Sequence, residues 1–472
     1  MLRTVLFVHR YLAVAVGLLM ALWCLSGFVM LYQEFPDFTQ EERLQALAPL
    51  ELADCCNTRF LPDDGVAAGS FRVEMLQGRP VLRQEGVAPF DLRSGTPQRD
   101  LTHEAMLEVV HGYASRLRLN AKPEWLGEID ADQWTVATAR YNRPAHRFAL
   151  HDAAGTELYL NGASGEIFQQ TTRRERILSW FGAIPHWLYP TVLRRNGPLW
   201  SQIVIWTSVA GTFLTVTGLY VGISRLRRRG DGRLASPFRG WWYWHHIAGL
   251  SFGVLTLTWV FSGLMTMNPW GLLFDGGIGA QLRPQITGRA STGELRTFLQ
   301  ALPRQLPAGE FTQLRAQPFA GRLHVIARRA DGSSLRLNAA AAPAPLSRDE
   351  VNAVANGLDP GVGELTLMTT GDAYYYAHKA EVELPVYRAI LKDAQATRVY
   401  ISPSTGAFRT IDREDRQARW FQRGLHGLDF AGLRQRPLWD IVILLLLAGV
   451  TGVCVTGSWL AIQRVRKDFS RS

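Results

Sequence analysis

Four stretches of this chain are apolar almost without interruption, and long polar stretches separate them. The apolar runs cover about residues 5–32, 199–223, 241–267 and 438–462. A helix needs about 20 predominantly apolar residues to cross a bilayer core, so each run predicts a membrane span. The pattern between the runs is different. In 147–170 the pieces RFALH, ELYLN and EIFQQ alternate apolar and polar positions around an NGASGE turn. In 388–411 the pieces TRVYI and AFRTI do the same around SPSTG. Alternation broken by Gly, Asn and Ser predicts antiparallel hairpins. Residues 102–117 carry apolar positions at helical spacing and predict a helix packed on such a sheet.

Charge orients the spans. Arg3 and Arg10 flank the first run. The 224–240 link carries Arg225, Arg227, Arg228, Arg229, Arg233 and Arg239, and the 463–472 tail carries Arg464, Arg466, Lys467 and Arg471. The positive-inside rule places all three in the cytoplasm, and the 33–198 and 268–437 segments outside, in the periplasm of a Gram-negative host. The net charge of +10 is thus explained by topology rather than by nucleic acid. Trp241, Trp242, Tyr243 and Trp244 form an interfacial aromatic cluster at the start of the third run. The first run is too long for a signal-peptide core and is read as a retained helix. The four cysteines are too few and too scattered for a disulfide framework. Cys24 and Cys454 fall in apolar runs as packing residues, and adjacent Cys55 and Cys56 are read as incidental.

The chain repeats itself. HRYLAVAVGLLMALWCLSGF from His9 matches HHIAGLSFGVLTLTWVFSGL from His245, aligning Gly17 with Gly253, Trp23 with Trp259 and Ser26–Gly27 with Ser262–Gly263. Pro144, Arg147, Asp152, Tyr159 and Gly165 correspond to Pro385, Arg388, Asp393, Tyr400 and Gly406. Arg173, Arg176, Trp180, Phe181 and His186 correspond to Arg413, Arg416, Trp420, Phe421 and His426. Thr217–Gly218 corresponds to Thr456–Gly457. Each half is span, extramembrane segment, span. The repeats are parallel, related by an axis along the membrane normal. The fold class is a membrane protein: a four-transmembrane-helix bundle from an internal duplication, with two α+β domains outside it.

No P-loop, no GxGxxG at a strand–helix junction and no HExxH is present, and the short 224–240 link cannot house a flavin or nicotinamide domain. Histidine carries the candidate chemistry. Of eleven, four recur at matched positions, His9 with His245 and His186 with His426. Ionisable residues in or beside spans are functional candidates by default. The symmetry axis turns them into two facing pairs, one near each membrane face. Two neutral imidazoles face to face suit haem iron. Ala13 and Gly17, and Gly249 and Gly253, lie four and eight residues after the inner pair and would leave a slot for a flat ligand. Close helix packing through small residues, a bare metal ion and a proton relay are the competing readings. His246 adjoins His245 but aligns with Arg10; both are assigned to the interface or to a haem propionate. Arg173, Arg174, Arg176, Arg413, Arg416 and Arg419 surround the other pair and would hold propionates, draw in an anionic substrate, or lie at the membrane surface. His103, His111, His146, His151, His324 and His378 lack repeat partners and are read as surface or packing residues.

The HRxxxxxxG start of the first run, HHxxG of the third, LPVYR with VYISPSTG, RWxxxxxH and the RPLWD before the fourth resemble the PepSY-associated transmembrane helix family over nearly the whole chain. That resemblance implies PepSY-like outer domains and a bacterial inner-membrane location. The family includes proteins of iron acquisition, among them a ferric-siderophore reductase carrying two haems. Carried over, it implies two b-type haems, the cytoplasmic-side one on His9 and His245 and the periplasmic-side one on His186 and His426. Electrons would reach a ferric siderophore or other ferric chelate from a separate cytoplasmic reductase or from quinol. Two other expectations remain: a haem-free PepSY protein that senses or inhibits an envelope partner, and a siderophore or metal transporter.

Overall fold

The structure is a computed structural model. It describes residues 1–63, 65, 70–84, 86–228, 230–273, 277–376 and 382–470; Arg229, His378 and Arg471, named above, lie outside the described residues. The chain divides into two compact units. One comprises residues 1–36, 174–275 and 416–472, the other residues 37–173 and 276–415.

The first unit holds the four helices that, among the described residues, are long and apolar enough to cross a membrane. They are span 1 (Leu2–Met30), span 2 (Gly197–Ser224), span 3 (Trp241–Thr266) and span 4 (Leu438–Phe469). Each extends a little beyond or stops slightly short of the run expected from hydropathy. The start of span 2 has a local cause: the Asn196 side chain accepts from the Leu199 amide, and Pro198 occupies the first turn. Spans 1 and 3 each pack against both span 2 and span 4, closing a ring of four. Val16, Met20, Ala21, Leu214, Val450 and Cys454 form its apolar centre, with Trp23 and Trp259 against it. Polar side chains in this setting return their protons to the preceding turn, as Thr215 does to Gly211 O (2.8 Å) and Thr451 to Leu447 O (2.7 Å). Cys24 and Cys454 pack with their sulfurs 3.7 Å apart.

Among the described residues, the second unit is built from three antiparallel sheets. One runs Glu124–Ile129, Ala145–Ala149, Glu157–Asn161, Ile167–Thr171. Its repeat runs Val362–Met368, Val386–Leu391, Arg398–Ile401, Phe408–Ile411. Each is covered by a helix whose N-terminus is capped by a hydroxyl. In His103–Arg116, Thr102 accepts from Ala105 N, and Met106, Val110 and Tyr113 pack on Phe148, Leu158 and Leu160. In Arg348–Gly357, Ser347 and Glu350 form a reciprocal cap, and Val351 and Val354 pack on Ala389, Val399 and Ile401. The duplicated polar residues repeat their bonds: Tyr159 donates to Asp132 (2.8 Å) as Tyr400 does to Asp372 (2.7 Å), and Asp152 caps Thr156 as Asp393 caps Thr397.

The third sheet joins the halves. Its seven strands run Ser334–Leu337, Val325–Arg328, Gln313–Ala316, Phe71–Leu76, Arg79–Gln84, Val87–Asp91, Thr96–Pro97, with Arg72 opposite Arg315 and Val73 opposite Leu314 at the seam. Leu295, Phe298, Leu299 and Leu302 of the helix Thr292–Gln305 fill one face. Buried Glu74 meets Arg83 at 2.9 Å and accepts from Gln313 of the other half at 2.8 Å. Cys55 and Cys56, read from sequence as incidental, are joined to each other as a disulfide beside this core.

Burial alone would raise the Glu166 carboxyl, but Arg43, Arg72 and Arg83 overcome it and hold the group at about 2, below its ordinary 4.5. A carboxyl depressed in the folded state adds stability above its unfolded value and loses it as pH falls toward its folded value. Glu166→Gln is therefore expected to lower the Tm of the detergent-solubilised chain at pH 7, with the deficit shrinking as pH is taken from 5 to 3. A deficit that does not change with pH would contradict this.

Candidate functional site

All four repeated histidines lie in the membrane unit, and each meets a neighbouring helix through Nδ1. His9 on span 1 donates Nδ1–H to the Leu214 carbonyl of span 2 at 3.1 Å, with Thr217 Oγ1 at 3.4 Å. Its counterpart His245 on span 3 has Nδ1 3.1 Å from Thr456 Oγ1 of span 4. The Thr456 hydroxyl already gives its proton to Gly452 O at 2.6 Å, so it accepts from the imidazole. Glycine makes room for both rings: a Cβ at Gly218 would stand 2.8 Å from His9 Cε1, and one at Gly457 2.9 Å from His245 Cε1.

The second pair follows the same rule from the other direction. His186 ends the short helix Ala183–His186, which packs on span 1. Its Nδ1 donates to Trp23 O at 3.1 Å and lies 3.2 Å from Ser26 Oγ, whose own proton goes to Trp23 O. His426 ends the π-helical stretch Arg419–His426, which packs on span 3. Its Nδ1 lies 3.3 Å from Trp259 O and 3.1 Å from Ser262 Oγ. π-Helical turns are frequent at functional sites. The two rings meet edge to face, with centres 6.1 Å apart and planes at 70°.

These contacts decide the tautomers. Carbonyls and already-donating hydroxyls can only accept, so all four Nδ1 atoms carry the hydrogen and all four Nε2 atoms present a lone pair. Among the described residues no hydrogen bond reaches any of these Nε2 atoms. All four histidines are half-buried, whereas His246 is buried. Imidazole nitrogens bind metals at about 2 Å, so two rings sharing one metal atom keep their centres about 6 Å apart. The ring centres of the second pair, 6.1 Å apart, are compatible with that separation. Neutral imidazole nitrogens are donors that haem iron accepts, and His186 and His426 are the residues that would hold it here.

The expected slot beside the first pair is only partly there. A Cβ at Gly249 would meet open space, but one at Gly17 would stand 3.2 Å from Ser458 Oγ and one at Gly253 2.6 Å from Leu219 Cδ2. Gly17 and Gly253 thus serve close helix packing. The glycines that make way for the imidazoles are Gly218 and Gly457. Their match, like that of Ser26 and Ser262, was visible in the repeat; which histidine each would serve was not.

The secondary candidates divide. His246 has both nitrogens engaged, Nδ1 with Ser236 Oγ at 2.9 Å and Nε2 with Gly222 O at 2.8 Å, and so ties the link between spans 2 and 3 to the end of span 2. Arg10 follows His9 on span 1, half-buried. Arg176 and Arg416 occupy matched places on the helices Arg173–Phe181 and Arg413–Ala418, also half-buried. Arg419 is buried, donating to Asp429 O at 2.8 Å and stacking 4.4 Å over Trp420. Asp440 is taken up by Tyr32 and Arg436, at 3.1 and 3.0 Å. In the other unit His151 pairs with Glu124 (2.6 Å), and burial together with Arg336 pushes His324 down to about 4, a neutral packing histidine at pH 7.

Residues 6–464 match the family described as the PepSY-associated TM region. No curated protein matches the chain.

The role of His246 is open to a direct check. His246→Ala releases Ser236 and Gly222, so trypsin should cut the link at its arginines several times faster in membranes exposing that face. Unchanged cleavage would show that the imidazole does not hold the link.

Proposed function

The chain belongs to the PepSY-associated transmembrane family, and on that premise we propose that this membrane protein carries electrons across the bacterial inner membrane to a ferric chelate. One b-type haem would be held by His9 and His245 near the cytoplasmic face, the other by His186 and His426 near the periplasmic face. The observation that carries this reading is the second pair: two imidazoles 6.1 Å apart, each with Nδ1 occupied and Nε2 free.

Bound haem supplies a one-electron iron couple. The protein's own residues do the rest. The carbonyls of Leu214, Trp23 and Trp259 and the Thr456 hydroxyl orient the imidazoles and raise their basicity as ligands. Gly218 and Gly457 let the rings sit against spans 2 and 4. The apolar centre of the bundle keeps water and protons out of the path. His246, both nitrogens occupied, serves structure and leaves His245 as the ligand. Arg10, Arg176 and Arg416 remain candidates for propionate contacts or for the membrane surface.

Ferric siderophores suit this activity as substrates. Their oxygen donors are matched to hard Fe(III), and reduction to softer Fe(II) weakens their hold. The donor would be a separate cytoplasmic reductase or quinol, and the large extramembrane unit would lie in the periplasm, where the chelate arrives.

The test is haem content. The chain purified from haem-replete cells is expected to show a Soret band and two haems per chain by the pyridine haemochrome assay. His9→Ala and His186→Ala should each lose one haem, and His246→Ala should keep both. A haem-free wild-type protein, or retention of both haems in the His9 and His186 variants, would overturn the assignment.

A further inference from the structure

Trp23 and Trp259 occupy matched positions on spans 1 and 3, and each does two things at once. The backbone carbonyl of each holds an imidazole of the second pair, His186 for Trp23 and His426 for Trp259. The side chain of each packs against the apolar centre of the bundle, with Val16, Met20, Leu214, Val450 and Cys454. Side chains on a helix lean toward its N-terminus. Each indole therefore extends from the level of its outer imidazole toward that of the inner one. His9 lies fourteen residues before Trp23 and His245 fourteen before Trp259, about 21 Å of helix at 1.5 Å per residue.

Both indole Nε1–H groups are buried without a hydrogen-bond partner. A buried tryptophan usually finds a partner for its N–H, and leaving one unmade costs about 1–3 kcal/mol. Interfacial anchoring does not account for them, since anchoring tryptophans sit at the ends of spans with the N–H toward water. The repeat has let neighbouring positions drift, Val16 against Phe252, Leu22 against Thr258 and Cys24 against Val260, while holding this one. What an indole offers here that Leu or Val does not is a π system.

We infer that Trp23 and Trp259 are paired relays that couple the inner and outer redox sites, each joined to its outer ligand by the hydrogen bond to its own carbonyl. The inference rests on the haem reading above. The step moves one electron from the inner site to the outer one, iron(II) becoming iron(III) at the first and iron(III) becoming iron(II) at the second. No bond is made and no proton is released, and the indoles themselves are not oxidised. Two equivalent routes run in parallel, one per half of the repeat.

The experiment uses the full chain in inside-out membrane vesicles, with a membrane-impermeant reductant added at the cytoplasmic face and outer-haem reduction followed by stopped-flow absorbance. Haem stoichiometry and the midpoint potentials of both haems are measured on the same preparations. Trp23→Leu and Trp259→Leu should each lose about half of the inter-haem rate, the double variant about tenfold or more, with two haems and unchanged potentials throughout. Trp23→Phe and Trp259→Phe, which keep a π ring, should retain most of the rate. Wild-type rates in both single Leu variants would overturn the relay even if the double variant fails to assemble. Loss of a haem in a Leu variant would also overturn it, making the indoles walls of the haem pockets. A wild-type chain without haem would sink the underlying reading together with the relay, whereas a haem-replete chain with unchanged rates sinks the relay alone.

Discussion

The hydrogen bond from each repeated imidazole's Nδ1 to a neighbouring helix is the contact on which the membrane unit's chemistry turns. In water an imidazole exchanges tautomers freely. Between packed helices the choice is made by whichever acceptor stands nearest, and here that acceptor is always a carbonyl or a hydroxyl with its proton already spent. The same bond sets ring orientation, leaves Nε2 as the nitrogen that carries the lone pair, and ties helix to helix. A buried N–H that found no acceptor would cost more than the bond itself is worth, so packing and tautomer enforce each other.

Duplication explains how such an arrangement arises twice. A single span–domain–span unit has one histidine at each level and nothing to face it. Two copies about an axis along the membrane normal give two of each. The extramembrane unit shows the same history in its repeated Asp–Tyr and Asp–Thr bonds. It also shows how the copies became inseparable there: the strand pairing of Val73 with Leu314 and the buried contact of Glu74 with Gln313 make one sheet out of both halves. Cutting the chain between the repeats would leave edge strands with open hydrogen-bonding groups and a buried carboxylate short of a partner.

Much of this was legible in the residues because the bilayer and the repeat are strong constraints. A run of about 20 apolar residues in a bilayer has few alternatives to a helix, and the periodic strands around Asn161–Gly165 and Ser402–Gly406 formed where alternation placed them. The seven-stranded sheet was not legible. Alternation marks a strand but not its partner, and the seam joins Arg72 to Arg315 across just over half the chain. The Cys55–Cys56 disulfide was likewise read as chance adjacency. At the site, the repeat singled out His9, His245, His186 and His426, and also Ser26, Ser262, Thr217 and Thr456. Only the order of helices around the ring shows that the hydroxyls serve the imidazoles. Small residues misled in part for the same reason: Gly17 and Gly253 share a face with the histidines, but Ser458 and Leu219 stand against those two, and only Gly249 meets open space.

The most direct measurement is an experimental density map of the chain purified from haem-replete membranes, read at His186 and His426. A metal atom on the line between the two Nε2 atoms, with a flat macrocycle across it and both Nδ1 atoms still bonded to the carbonyls of Trp23 and Trp259, is the expected result. Imidazoles bonded to each other or turned apart, with side chains filling the space beside them, would contradict it.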